Sequence, residues 1–549
     1  FRRVLFRSGN GRPKQQRGAF ALSATGVGDG RLRLVATGPD GSRIERDWPI
    51  TVRAAQAVQT FAETTPLAPG ASLALGAGLL DGWLSGSGRV DVLASARPPI
   101  DVPALLEALD RYPYGCAEQT TSRALPLLYA NDLARDWLGG EAVDPALPKR
   151  VQDAIARLLA QQRSDGGFGL WRALDDPNPW LNAYVMNFLV RAKEQGYLVP
   201  EVALKHGLAA LHDALNSRSD PDERELATRA ASAYVLARAQ AATPGELRYL
   251  HDAWLAKMPT ELAAAQLGAA LARYGDSERA RAAFDHAFAL QARPYYWWDY
   301  GSALRDRAAL LALATEAGQS ARIGDLATDV AREADGRRYL STQEQAWLLL
   351  AAQALGAGQG QLAISRDGAP WAQGKARARL RPEAAALERG LTLANDAQAQ
   401  AWVRVTRSGI PSADQPAASE GITVTRQWYT LDGKPLPPGP VRAGTTLVAV
   451  IGGEVAAGEY VQGLVVDLLP AGFELENAAL GPNRAPSELP WLPALTEPDH
   501  VELRDDRYVA AIGLEDGTRR FTLAYLVRAI TPGDYRVPAV LAEDMYRPQ

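Results

Sequence analysis

Arg111-Tyr-Pro-Tyr-Gly-Cys-Ala-Glu-Gln-Thr120 holds the only cysteine of this 549-residue chain, Cys116, with Gln119 three positions after it. If the stretch opens a helix, residues i and i+3 share a face, so the Cys116 sulfur and the Gln119 side-chain carbonyl meet. A thiolate at a helix N-terminus is favoured by the macrodipole and by the free backbone N–H groups there. Attack on the Gln119 amide then expels ammonia and leaves an internal thioester, an acylating group that survives only while water and amines are kept out. Pro113 and Gly115 suit a tight turn ahead of the helix, and Tyr112 and Tyr114 supply apolar cover. A lone cysteine near a helix start is more often a small buried hydrophobe, so the whole string carries the weight, not Cys-x-x-Gln alone.

Composition sets the frame around that string. A chain of 549 residues is too long for one core, and domain sizes suggest about three or four units. Charged residues make up 22% and the net charge is −4, which argues for neither a nucleic-acid nor an anionic-membrane partner. One cysteine excludes an internal disulfide framework. No apolar run approaches the roughly 20 residues of a membrane span, and no signal-peptide core stands at the start. Residues 1–17, FRRVLFRSGNGRPKQQR, are basic and without periodicity, and read as an artefact or disordered segment. The five histidines, at 206, 212, 251, 286 and 500, form no metal-binding spacing; neither a metal nor a cofactor is expected.

Taken in order, residues 18–53 alternate apolar and polar around Pro39-Asp40-Gly41, a β-hairpin pattern. Residues 54–98 continue at period two, through Leu73 and Leu75, then Val90, Val92 and Ala94. After Pro99 the period becomes helical for about 270 residues, with stretches such as 117–137, 147–163, 180–195, 200–217, 223–241, 260–273, 300–316 and 342–357. Near Gly374 strands return at Ala376–Leu380, Leu391–Leu393 and Trp402–Thr406, which the simplest topology pairs with residues 54–98 in one interrupted sandwich. Ser408–Ser419 reads as a linker. From Gly421 onward, short spaced strands suggest a final sandwich.

The string Tyr112 to Gln119 resembles the thioester motif, Gly-Cys-x-Glu-Gln, of the alpha-2-macroglobulin and complement family, and Tyr-Pro-Tyr is similar to its bacterial branch. Trp180-Leu181-Asn182-Ala183-Tyr184-Val185 and Ala231-Ser232-Ala233-Tyr234-Val235-Leu236 extend the likeness. The resemblance implies a multidomain α and β fold, with an α/α toroid thioester domain inserted in a CUB-like β-sandwich and flanked by macroglobulin-like β-sandwiches. Residues 18–53 are then the end of one macroglobulin-like domain, 54–98 the first CUB half and 99–373 the thioester domain. Residues 374–418 are the second CUB half and linker, and 419–549 the C-terminal macroglobulin or receptor-binding-like sandwich. The whole is the C-terminal part of a longer protein and lacks its bait region.

For function, the resemblance implies a protease trap that acylates lysine amines of an attacking protease after bait cleavage, a single-turnover inhibitor and not an enzyme. Tyr112, Tyr114 and Met545 then shield Cys116 and Gln119, with the last domain as a latch. Glu118 orients the pair, or merely answers the helix dipole. Some family members use a histidine beside the thioester to redirect acylation to hydroxyls, which singles out His212. The family also implies a periplasmic, lipid-anchored monomer working beside a cell-wall synthase, a penicillin-binding protein. Two alternatives stand beside the trap. One is a complement-like tag forming esters on surfaces. The other is an α/α-barrel enzyme with a cavity lined by Tyr295-Tyr296-Trp297-Trp298 and Asp165-Gly166-Gly167-Phe168-Gly169-Leu170-Trp171, although the carboxylate cluster or zinc ligands it needs are missing from the sequence.

Overall fold

The computed structural model describes residues 22–24, 26–38, 40–111, 115–137, 145–217, 220–293, 297–319, 321–337, 339–356, 360–456, 461–476, 485–514 and 518–547. The alternation at the start becomes an antiparallel hairpin of β1 (Gly28–Thr37) and β2 (Arg43–Val52), in register from Gly28 opposite Val52 to Thr37 opposite Arg43. Gly41, at φ +84°, supplies the left-handed residue that the turn needs; Pro39 lies outside the described residues.

Next come β3 (Gln59–Leu67), β4 (Ser72–Leu75) and β5 (Arg89–Ser95), then helices from α1 (Val102–Arg111) onward. These are α2 (Ala117–Leu127), α3 (Ala130–Trp137), α4 (Leu147–Ala160), α5 (Pro179–Glu194), α6 (Glu201–Leu215), α7 (Glu223–Arg238) and α8 (Pro244–Trp254). They continue with α9 (Glu261–Arg273), α10 (Ser277–Ala289), α11 (Ala303–Glu316), α12 (Ile323–Asp335) and α13 (Thr342–Leu355). Residues 117–137 are two helices, not the single one expected: Pro126 lies in the last turn of α2, and the chain bends at 128–129 before α3.

Among these, α2, α5, α7, α9, α11 and α13 touch in that order, and α13 returns to α2, so they close an inner ring. They are the most thoroughly buried helices, apolar on nearly every side, as an inner wall requires. The helices between them pack outside: α4 on α2, α6 on α5 and α7, α10 on α9, α12 on α11. Each inner helix starts with a capping side chain, from Cys116, Asn178, Asp222, Thr260, Ser302 and Ser341 respectively. Hydrogen bonds join Glu118 to Thr342 and Gln343, and Gln343 to Arg305, so these capped ends gather at one mouth of the ring. This is an α/α toroid. Among the described residues no helix is long and apolar enough to cross a membrane.

The strands on either side of the ring share sheets. After α13 come β6 (Ala363–Arg366), β7 (Ala369–Gln373), β8 (Arg377–Leu380), α14 (Ala384–Arg389), β9 (Leu391–Asn395) and β10 (Ala401–Gly409). One sheet runs β3-β10-β5-β8 and the other β4-β9-β6-β7, closed over Leu67, Val90, Val92, Ile364, Leu391, Leu393 and Val403. The sequence reading kept residues up to 373 with the helices, whereas β6 and β7 form a hairpin of this sandwich. Their brevity hid it: Asp367 and Gly368, both at positive φ, make a tight turn that leaves only Ile364 and Ala372 fully buried.

The final sandwich consists of β11 (Ile422–Thr430), β12 (Thr446–Val455), β13 (Val461–Leu468), β14 (Phe473–Glu476), β15 (His500–Arg504), β16 (Arg507–Leu514), β17 (Arg520–Ala529) and β18 (Val540–Asp544). Its sheets run β11-β12-β17-β14 and β15-β16-β13-β18. Period two splits the second sheet between two cores. Val465, Ala510 and Ile512 face the sandwich interior, while Leu464, Val466, Val509 and Ala511 join the core of the helical ring. The last sandwich thus docks on the ring with a whole sheet face.

Candidate thioester site

Cys116 is the N-cap of α2: extended at φ −63° and ψ 167°, its Sγ accepts the Gln119 N–H at 3.4 Å. Sulfur occupies a place usually held by a serine or aspartate oxygen. The first turn is therefore wrapped around the sulfur, with Gln119 on the same face. Both residues are 0% exposed, and among the described residues neither Oε1 nor Nε2 of Gln119 has a hydrogen-bond partner. An unsatisfied buried polar group costs about 1–3 kcal/mol, so the intact amide is held in an unfavourable place.

Burial overrides the helix dipole. The sequence argument expects a thiolate favoured at the helix end, yet the Cys116 thiol is pushed up to about 12, first by burial and then by the Glu118 charge. The N–H groups of Glu118 and Gln119 oppose this without reversing it. Burial at this position keeps the sulfur from ionising.

Glu118, also fully buried, turns away toward α13. Its carboxylate accepts Ser122 Oγ at 2.5 Å, Thr342 Oγ1 at 3.0 Å and Gln343 Nε2 at 3.2 Å. With the serine proton spent on Glu118, Tyr184 Oη, 2.8 Å from Ser122 Oγ, is the donor in that pair. Arg305 holds Gln343 Oε1 at 3.1 Å and is itself ion-paired to Asp299 and Asp306. Burial raises Glu118 to about 7 against these hydrogen bonds and the more distant Arg305 charge. Glu118 thus ties the start of the first inner helix to the last, and so sets the first turn that carries Cys116 and Gln119.

A contact with the sulfur comes from Tyr546, far along the chain. Met545 and Tyr546, each 3% exposed, belong to the same core cluster as the ring helices. Met545 N–H donates to Gln462 O at 2.9 Å, continuing the edge of β18. Asp544 accepts the Tyr546 and Arg547 N–H groups at 2.9 and 3.1 Å, a turn that aims Tyr546 inward. Tyr546 Oη then lies 3.7 Å from Cys116 Sγ. Its ring packs on Tyr300, 4.6 Å between centroids, and Tyr300 adopts a left-handed φ of +54°.

Sequence reasoning singled out Met545 and missed Tyr546, its neighbour, because a tyrosine at a chain end carries no signal until the strand before it is placed. Tyr112 and Tyr114 lie outside the described residues. His212 is not brought to the site: on α6 and about one-third exposed, its Nδ1 faces Glu246 at 3.7 Å. Tyr295 and Tyr296 also lie outside the described residues. The segment Asp165–Trp171 is a loop against the site, where Leu170 O accepts the Ala117 N–H at 2.7 Å.

Two family descriptions match these regions. Residues 89–216 match the A-macroglobulin TED domain and residues 421–549 the bacterial alpha-2-macroglobulin MG10 domain. A crystal structure of native alpha-2-macroglobulin from Escherichia coli, spanning domain MG7 to the C-terminus, superposes with a TM-score of 0.85 at 33% identity, covering 95% of this chain and 85% of that one. The chain belongs to the bacterial alpha-2-macroglobulins. The alpha-2-macroglobulin of Xylella fastidiosa strain Temecula1 is 35% identical over 559 residues, 96% of this chain and 34% of that protein. A Salmonella alpha-2-macroglobulin reacted with methylamine has a TM-score of 0.85 at 33% identity, covering 95% of this chain and 35% of its own. The chain spans about a third of the length of the curated relatives it matches.

Proposed function

We propose that Cys116 and Gln119 form an internal thioester and that the chain is the reactive, C-terminal part of a single-turnover protease trap. One observation carries this reading: Cys116 Sγ accepts the Gln119 backbone N–H at 3.4 Å, and the buried Gln119 side-chain amide has neither polar atom partnered among the described residues. In thioester formation the S–C bond forms, the C–N bond breaks, and the thiol proton leaves with nitrogen as ammonia. The product has no amide N–H groups left to satisfy.

The closed site also protects the product. An amine that attacks the Gln119 acyl carbon must expel Cys116 as a thiolate, and burial holds that thiol at about 12. Lifting Met545 and Tyr546 admits both the amine and the water that solvates the departing sulfur, whose charge then also meets the helix N–H groups. Bait cleavage elsewhere in the full protein is the trigger in this reading, and a lysine of the captured protease is the amine. Proximity supplies the rate, because the attacker is already held when the acyl group is bared. A periplasmic, lipid-anchored site of action beside a cell-wall synthase completes the proposal on the strength of the family resemblance. That a Salmonella relative has been reacted with methylamine supports the choice of small amine for the test.

Peptide mapping after methylamine treatment decides between outcomes. The thioester reading expects a methylamide on Gln119, a titratable Cys116, and neither in Cys116→Ser. Unmodified Gln119 in wild-type protein would overturn it.

A further inference from the structure

The segment Asp165–Trp171 sits between the thioester helix and the final sandwich, and two of its adjacent residues face opposite ways. Leu170 O accepts the Ala117 N–H at 2.7 Å, one residue after Cys116. Trp171 stacks face to face on His500, with ring centroids 4.6 Å apart and planes 7° from parallel. His500 stands opposite Ala511 in the register of β15 and β16, on the side of the sheet that docks on the ring.

The loop between them is stiff. Phe168 is fully buried and its N–H donates to Asn182 Oδ1 at 2.7 Å, while Asp175 Oδ2 accepts the Trp171 and Arg172 N–H groups at 2.6 and 2.8 Å. Gln161 Nε2 donates to Trp171 O at 3.2 Å. A methyl group on Gly169 would lie 1.8 Å from Arg172 O, so the backbone folds back on itself with no slack. A displacement of Trp171 is therefore passed to Leu170, and from there to the backbone that carries Cys116.

We infer that Trp171 is a positioning residue for the thioester. Its stack on His500 is a second clasp of the latch, separate from the Met545–Tyr546 tail, and couples departure of the final sandwich to the first turn of α2. This rests on the thioester reading for its chemical consequence but not for its structural one. Loss of the stack leaves the tail residues intact and makes the docked sandwich easier to lift.

The test compares Trp171→Ala, His500→Ala, their double variant and His500→Phe in the full chain. Two readouts are followed: the rate of thiol release by methylamine, and hydrogen exchange at the Ala117 amide. Each alanine variant is expected to release thiol about three- to tenfold faster, as loss of one aromatic pair implies. The double variant should be no faster than the faster single, His500→Phe should keep the wild-type rate, and Ala117 should exchange faster in both alanine variants. Wild-type rates and exchange in both, or failure of phenylalanine to restore them, would overturn the clasp. Absence of any methylamine-released thiol from wild-type protein would instead sink the thioester reading, with the exchange arm still deciding the clasp.

Discussion

Tyr546 Oη stands 3.7 Å from Cys116 Sγ, although 430 residues separate them in the chain. The contact joins the last turn of the final sandwich to the first turn of the first inner helix. In the proposed trap it makes the sulfur a reporter of whether the sandwich is docked. Replacing Tyr546 with alanine removes a large fully buried side chain from directly over the sulfur, and we expect methylamine to release the thiol at least about tenfold faster. Tyr546→Phe keeps the shape and loses only the hydroxyl, so its rate should stay much closer to wild type. Thiol titration over time measures both.

Glu118 gives a pH signature. Its carboxyl is raised from 4.5 in the unfolded chain to about 7 in the folded one, by burial. Between those values the folded state binds more protons, so this group's contribution falls as pH rises from 4.5 towards 7, and its full cost is present above about 7. Glu118→Gln removes that dependence. The stability of the variant relative to wild type should therefore improve by about 2–3 kcal/mol between pH 4.5 and pH 8. Denaturant midpoints at the two pH values measure it, and a pH-independent difference would contradict the assignment.

His212 provides a negative control. It is about one-third exposed and faces Glu246, outside the buried groups around the sulfur. His212→Ala should leave the methylamine rate within about twofold of wild type, since surface substitutions are usually small in effect. Capture of glycerol should be equally unchanged. A loss of glycerol capture in the variant would restore the ester-forming reading.

Gly166 tests the loop that supports the site. It adopts φ +88°, and a Cβ there would lie 2.2 Å from His206 O. Gly166→Ala meets both a left-handed backbone and a carbonyl that cannot swing away, a combination that costs more than about 2 kcal/mol. A fall of several degrees in Tm is expected, together with faster exchange of the Ala117 amide. Asp40, on the exposed first hairpin, is the comparison: Asp40→Ala should leave both unchanged.

What was legible in the sequence follows from the reach of each interaction. Cys116 and Gln119 are three residues apart, so helix-start geometry alone brings the Gln119 N–H to the Cys116 sulfur. The ring helices announced themselves through long apolar faces, and the final strands through alternation. Glu118 was visible as a residue but not as a tie, because Thr342 and Gln343 lie 224 and 225 positions away. Tyr546 and the Trp171–His500 stack were hidden for the same reason. The thiol's suppressed ionisation was missed because the helix dipole is local and readable, whereas burial is a property of the assembled molecule. The β6–β7 hairpin escaped because four- and five-residue strands show too little alternation to stand out.

The central claim is that sulfur and acyl carbon are covalently joined in the resting protein. Intact mass of a fresh preparation, combined with titration of thiols under denaturing conditions, tests it most directly. We predict a mass one ammonia below that of the sequence, no titratable thiol, and appearance of one thiol on adding methylamine. A full-length mass with one thiol titratable from the outset would contradict it.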